Sequence, residues 1–356
     1  PNGLHQSRST RVLLAASIPL LRRLNLIDWN LVNLLDKKIV VIGGAGFVGS
    51  HIVDQLLAES VREITIIDNF VRGSQTNLTA AVSDPRVRIV EGSITDCKFL
   101  DRTLEDAAGV FHLAALWLYE CVHEPRAALE VNVDGTFNVM ESCRRAGVQR
   151  VIYSSSASVY GDALSSPMTE AHPFNNRTMY GATKIAGEQF FRAGYEQHGM
   201  EYVALRYMNI YGPRMDDKGT YVSVIVKALD RIERGESPII FGDGSQAYDF
   251  IYVQDVARAN ILAMKSEVSD EAYNIGCGVK TTINELVTQL LVLTGSTLTP
   301  EYRPQEKMFV TNRVGSTEKA TDDLGFVASV SLEQGLHSTV DWWMQERQQH
   351  PEVPGT

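Results

Sequence analysis

The sequence predicts an α/β chain, a doubly wound parallel sheet carrying a smaller C-terminal α/β lobe. Three observations lead there. Short apolar runs alternate with stretches of helical spacing through the first half of the chain. A glycine-rich turn, Gly43 to Gly49, joins the first apolar run to the first helical stretch. The alternation then loosens after Gly212-Pro213. Strands alternating with helices imply right-handed βαβ units and a sheet covered on both faces.

The elements follow in order. Lys38-Ile39-Val40-Val41-Ile42 is an apolar run ending at Gly43 and reads as a buried parallel strand. Ser50 to Ser60 reads as a helix, with Ile52, Val53, Leu56 and Leu57 on one side. Ile64 to Ile67, Val87 to Val90, Gly109 to Leu113 and Val151 to Ser154 read as further strands, and Asn132 to Ala146 as a helix. Beyond residue 213, Tyr221 to Arg234 and Thr281 to Thr294 read as helices, and Ile239 to Phe241 and Asp249 to Val253 as short strands. These later elements are expected to form the smaller lobe. The polar tail from Gln348 is expected to fray. The chain starts at Pro1 rather than Met, so a processed or truncated start is expected. Residues 1–36 read as an arm that packs on the domain or on a second subunit, in preference to a membrane-surface helix.

Composition narrows the function. The 356 residues are 44% hydrophobic and 21% charged, which argues against disorder and against a fibrous repeat. No run reaches the roughly 18 uncharged apolar residues of a membrane span. With 33 basic and 43 acidic side chains the net charge is −10, and no basic block occurs. Nucleic acid is therefore not expected as the main partner. Cys97, Cys121, Cys143 and Cys277 are widely spaced, so neither a metal site nor a disulfide framework is expected, and a reducing cytoplasm is the simplest compartment.

Gly43, Gly46 and Gly49 have the spacing of a dinucleotide-binding turn between strand and helix. The first permits the turn, the second lets a pyrophosphate approach the backbone, and the third lets helix and strand pack closely. The helix start offers unpaired N–H groups to the phosphates. Asp68 follows about 20 residues on, where a carboxylate accepts from ribose hydroxyls and repels a 2′-phosphate. NAD is thus expected rather than NADP. Gly92-Ser93-Ile94 falls where an adenine would lie, and Leu113-Ala114-Ala115 offers small residues beside the cofactor. His112 reads as structural in preference to a catalytic base.

Tyr180 and Lys184 are four apart and share one helix face. A tyrosine hydroxyl near pKa 10 is a weak base at neutral pH. A nearby ammonium and a nicotinamide cation would stabilise its phenolate. The serine-rich strand end Ser154-Ser155-Ser156-Ala157-Ser158 can supply a hydroxyl to the same substrate oxygen. Together these groups can remove an alcohol proton while hydride leaves for NAD.

In order along the chain stand GGAGFVG, Asp68, HLAA, NVDGT, SSSASVYG, YGATK, LRYMNIYGP and FGDGSQAYDF. From about Lys37 to Trp343 the chain resembles the extended short-chain dehydrogenase/reductase family, the NAD-dependent nucleotide-sugar epimerases and dehydratases. The resemblance implies a Rossmann-type NAD-binding domain over 37–212, a mainly substrate-binding lobe over 213–347 and a tail over 348–356. It implies cofactor contacts at Gly43, Gly46, Phe47, Val48, Gly49, Asp68, Asn69, Ser93, Ile94, Leu113, Ala114, Ala115, Tyr180, Lys184, Tyr207 and Met208. It implies Ser156 as the catalytic hydroxyl, Tyr180 as the base and Lys184 as its partner. Substrate contacts are implied at Asn132, Ser156, Asn209, Tyr248 and Arg313. It also implies a cytoplasmic homodimer built on a four-helix bundle from 132–146 and 183–196, with a place in polysaccharide biosynthesis.

Subfamilies differ after the catalytic hydroxyl. Dehydratases carry an acidic pair there, and decarboxylases a glutamate. Ala157 and Ser158 are small and neutral, as in 4-epimerases acting on a UDP-hexose or UDP-hexuronate. The alternatives are 4-dehydrogenation, decarboxylation or dehydration, and, from another class, a non-catalytic NAD sensor. The chain departs from the pattern at two diphosphate arginines, which align with Tyr248 and Glu306. Arg214, Arg303, Lys307 and Arg313 are the candidates to replace them. Trp117, Tyr119 and Glu120 beside the sugar pocket are also unusual and are candidates to read an unusual sugar.

Overall fold

The computed structural model describes residues 33–216, 223–304, 310 and 312–349. The arm, apart from Asn33 to Asp36, lies outside the described residues, as do Tyr221, Glu306, Lys307 and residues 350–356.

The main body is a seven-stranded, all-parallel sheet. Its strands are β1 (Lys38–Ile42), β2 (Glu63–Asp68), β3 (Val87–Glu91), β4 (Ala107–His112), β5 (Arg150–Ser156), β6 (Glu201–Tyr207) and β11 (Glu271–Ile275), in spatial order β3-β2-β1-β4-β5-β6-β11. The order reverses between β1 and β4, so a crevice opens at their carboxyl ends, where such sheets bind ligands. β1 is buried at every position, which is why it reads as an unbroken apolar run.

Helices cover both faces. α1 (Phe47–Leu57) packs on α7 (Val253–Lys265), placing Ile52 and Val53 with Val256 and Ala257. On the other face α2 (Cys97–Thr103), α4 (Thr136–Ala146) and α5 (Met179–His198) bring Leu100, Val139, Met140 and Phe191 together. A six-residue helix, α3 (Leu118–His123), follows β4. The helix read over 132–146 has two parts. Leu129–Gly135 is a π-helical turn, and α4 continues from it. Such turns shift the register of the side chains that follow and often mark functional sites. α1 starts at Phe47, three residues before the reading.

The lobe holds α6 (Val224–Glu233), α8 (Ile283–Leu293) and α10 (Leu332–Gln349) around Ile225, Leu229, Leu286, Leu290 and Leu336. Between them run short strands: β7 (Asn209–Tyr211), β8 (Ile239–Phe241), β9 (Ala247–Tyr248), β10 (Phe250–Tyr252), β12 (Thr281–Thr282), β13 (Glu301–Arg303) and β14 (Asn312–Arg313). Past residue 213 the chain is mainly this lobe, with two elements belonging to the main body. α7 lies on the main sheet and β11 forms its outer edge, beside β6. Of the tail, Gln348 and Gln349 continue α10, and residues 350–356 lie outside the described residues. Among the described residues no helix is long and apolar enough to cross a membrane.

Candidate active site

The turn at Gly43 to Gly49 is built for close approach. Gly43 has φ +82°, and a Cβ there would sit 2.8 Å from the Ala114 nitrogen. A Cβ on Gly49 would run into the Gly43 carbonyl oxygen. α1 begins after Gly46 with no side-chain cap, so the amides of its first turn, at Phe47 and Val48, remain for an anion. Asp68 ends β2, and its carboxylate accepts from the Ala45 and Phe70 amides, each at 2.9 Å. Burial pushes its carboxyl up, while the Phe70 and Ala45 N–H groups pull it back. Beside it Asn69 is exposed and accepts from the Val71 amide. Leu113 and Ala114 both donate to the Ile42 carbonyl, which fixes the floor beneath the turn that Ala115 extends. Ile94 is buried under Gly135, and Ser93 bonds Thr95. The uncapped helix, the glycine turn and the buried Asp68 fit the phosphates and ribose of a dinucleotide.

Ser156 ends β5, and its oxygen accepts from the Ser158 amide at 3.1 Å. Thr178 caps α5 by accepting from the Gly181 amide, which sets the Tyr180 turn. The Ser156 side chain lies beside the Tyr180 hydroxyl and helps draw its pKa down. Lys184 is buried, donates to the Ser154 carbonyl at 2.7 Å, and lies 5.7 Å from the Tyr180 ring centre. Burial lowers the Lys184 ammonium to about 8, against the raising effect of Cys121 and Glu188. Burial holds the Tyr180 hydroxyl well above 10, and Ser156, Arg72 and Arg313 draw it down. The expected lowering by the Lys184 ammonium is thus not what dominates in the protein alone. Two arginines that the spacing argument passed over contribute instead.

Asn132 sits in the π-helical turn, buried, and holds the loop after β4 with both ends of its amide. It accepts from the Leu116 amide at 2.7 Å and donates to the Leu116 carbonyl at 2.8 Å. It also donates to Thr183 on α5 at 3.2 Å. The π turn is what aims this side chain at both neighbours. Behind the site, Glu188 accepts from Ser155 at 2.5 Å and from Arg206 at 2.7 Å, tying α5 to β5 and β6. His112 bonds Thr136 at 3.0 Å and is held neutral by burial, its pKa lowered to about 3. It packs against Tyr153 and Phe191.

The end of β6 and the lobe supply the other wall. The Tyr207 hydroxyl is turned into the core, on Asn260 at 2.9 Å, and Met208 is buried beneath Gly276 and Gly315. Asn209 is half-buried, its amide on the Asp249 carbonyl. Tyr248 donates to the Val310 carbonyl at 3.0 Å and stands in register with Arg313 on β14. Of the replacement arginines, Arg214 pairs with Asp54 at 2.7 Å and exposed Arg303 with Glu301 at 2.8 Å. Arg72, from the loop after β2, lies over Trp117, pairs with Asp216 at 2.5 Å and reaches Glu120 at 3.8 Å. Nothing local in the sequence marks Arg72, since its neighbours come from distant loops. All four cysteines are free thiols, and among the described residues no His, Cys, Asp or Glu group could hold a metal.

Residues 39–276 match the NAD-dependent epimerase/dehydratase family. The chain belongs to this family. NAD is its cofactor, and it is an enzyme of this family. It is 36% identical over 311 residues to a putative UDP-glucose 4-epimerase of Methanocaldococcus jannaschii, covering 85% of this chain and 97% of that one. It is 32% identical to a UDP-N-acetyl-alpha-D-glucosaminuronate decarboxylase of Bacillus cytotoxicus, covering 87% and 99%. Among solved structures it superposes on the UDP-N-acetylglucosamine 4-epimerase of Methanobrevibacter ruminantium M1, in complex with UDP-N-acetylmuramic acid, with a TM-score of 0.83 at 35% identity. That match covers 88% of this chain and 99% of the other.

Proposed function

We propose that the protein epimerises a nucleotide sugar, a UDP-hexose or UDP-hexuronate, at C4. The observation that carries this reading is the meeting of Ser156, Tyr180 and Lys184 at the crevice mouth, with only Ala157 and Ser158 following the catalytic hydroxyl. Ser156 donates to the sugar oxygen, and Tyr180 takes the C4 hydroxyl proton. Lys184, fixed on the Ser154 carbonyl, keeps positive charge beside the phenol. When bound, NAD supplies a hydride acceptor and a cationic ring beside Tyr180. The turn at Gly43 to Gly49, Asp68 and Asn69 orient it, with Tyr207 and Met208 behind. The lobe carries the sugar nucleotide against Asn209, Tyr248 and Arg313, and Asn132 stiffens the floor of the pocket. Elimination from the oxidised sugar needs an acid that Ala157 and Ser158 cannot provide.

The same proposal places the enzyme in the cytoplasm as a homodimer through α4 and α5. Phe137 on α4 is 45% exposed there and packs edge-on against Phe190 of α5. The test is incubation with UDP-, dTDP-, GDP- and CDP-sugars in D₂O, read by proton NMR. A C4 epimer without deuterium supports direct hydride return. A ketone, a decarboxylated sugar or deuterium at C5 moves the reaction to dehydrogenation, decarboxylation or dehydration.

A further inference from the structure

Asp249 sits between β9 and β10, fully buried. Glu188 and Asp255, also buried, meet Arg206 and Arg258. Asp249 has no such cation among the described residues, and backbone amides take its place. Its carboxylate accepts from the Cys277 amide at 2.7 Å and the Gly278 amide at 2.9 Å, both in the loop after β11. The Gly315 amide faces it as well. A Cβ on Gly276 would run into the carboxylate, so the loop closes directly on it. The backbone of Asp249 makes two more ties. Its N–H donates to the Arg313 carbonyl, and its carbonyl accepts from the Asn209 N–H, each at 2.9 Å.

One residue thus joins β7, the β9–β10 junction, the loop after β11 and the end of β14. These segments carry Asn209, Tyr248 and Arg313, which the epimerase reading, on which this inference rests, sets against the sugar nucleotide. Asp249 itself is too deep to touch a ligand. A buried carboxylate is tolerated only while its oxygens are filled with donors. We propose that Asp249 is the positioning residue of the substrate wall, its ionised carboxylate holding these segments in the arrangement that binds the sugar nucleotide. Burial pushes its carboxyl up to about 6, against the pull of the Cys277, Gly278 and Gly315 amides. Protonation would set an O–H donor against N–H donors, so one tie would break. On the segments packed against it, Cys277, Tyr248 and Arg313 are of types that titrate above pH 7.5. Burial pushes the Cys277 thiol up further, to about 12. Asp255, the other carboxylate near that thiol, is raised by burial but held low by Arg258.

The test is calorimetric binding of UDP-glucose to NAD-loaded wild type and Asp249→Asn at pH 7.5 and pH 5. UDP-glucose carries no phosphate that titrates in this range. With a carboxyl near 6, about a tenth of the wild type is in the binding form at pH 5, so its affinity is expected to fall about 10-fold. Asp249→Asn keeps the shape, loses the charge and accepts through one oxygen only. It is expected to bind about 10- to 100-fold more weakly at pH 7.5, the range of an orphaned buried amide, with no pH dependence and with its NAD content unchanged. Binding in Asp249→Asn equal to wild type would overturn the proposal, and so would a pH dependence that survives in the variant. Parallel loss of NAD and UDP-glucose would assign Asp249 to the fold at large and overturn it too. If Asp249→Asn fails to fold, the wild type decides alone, since a flat profile from pH 7.5 to 5 refutes the proposal. A wild type that binds no UDP-glucose at pH 7.5 would remove the wall that Asp249 is said to hold, and that failure belongs to the functional reading itself.

Discussion

Lys184 should destabilise the fold that needs it. Burial lowers its ammonium from 10.5 to about 8. Between those values the unfolded chain binds more protons than the folded one, so stability rises with pH across that window. The gap amounts to about 3 kcal/mol of burial cost at pH 7, of which about 2 kcal/mol is relieved by pH 9.5. In Lys184→Met the pH-dependent cost disappears. The variant also orphans the Ser154 carbonyl, a loss of about 1–3 kcal/mol that does not change with pH. The absolute difference from wild type therefore mixes two effects, but its slope has one source. Urea unfolding of nucleotide-free protein at pH 7 and 9.5, followed by circular dichroism, should show the variant losing about 2 kcal/mol relative to wild type over that interval. A difference independent of pH would refute the reasoning, because it would mean that the buried ammonium does not feel its surroundings.

Three further outcomes follow from the same geometry. Tyr180→Phe should retain NAD, measured by absorbance after denaturation, while turnover falls about 10²- to 10⁴-fold, the contribution of a positioned acid–base group. Asp68→Ala should weaken NAD binding and narrow the preference over NADP, read by fluorescence titration with both nucleotides. Glu188→Gln leaves the Arg206 charge buried and should cost about 3–5 kcal/mol. At about 2.1 cal/mol/K of unfolding entropy per residue over 356 residues, that is a fall of roughly 4–7 °C in Tm by calorimetry. Recovery of most of that loss in Glu188→Met/Arg206→Met would separate the unpaired charge from the lost packing.

The nucleotide half of the site was legible because its chemistry is local. Gly43 to Gly49 lie in one strand–turn–helix unit with Asp68 at the end of the next strand, and Tyr180 and Lys184 lie on one helix face. β1 was legible as an unbroken apolar run, whereas β6, also buried, carries Glu201, Arg206 and two tyrosines and was not read as a strand. β11 was missed because Glu271, Ala272, Tyr273, Asn274 and Ile275 carry little apolar signal, and an edge strand needs little. The reading of β5 stopped at Ser154, although pairing with β6 carries it to Ser156. The π turn was hidden because one extra residue barely disturbs a helical pattern, yet it sets where Asn132 points. Two of the ion pairs around the site, Arg72 with Asp216 and Arg214 with Asp54, join residues more than a hundred positions apart. No window along the sequence contains both partners.

The return of the chain to the sheet after its first passage through the lobe bears on how such an enzyme can change. A cut after residue 212 would strip β11 from β6 and lift α7 from α1, baring Val203 and Leu205 along a new sheet edge. The two halves are interleaved and cannot be exchanged as cassettes. In the proposed reading, new sugars come from point changes inside the interleaved lobe, while the nucleotide half goes on supporting the same fold.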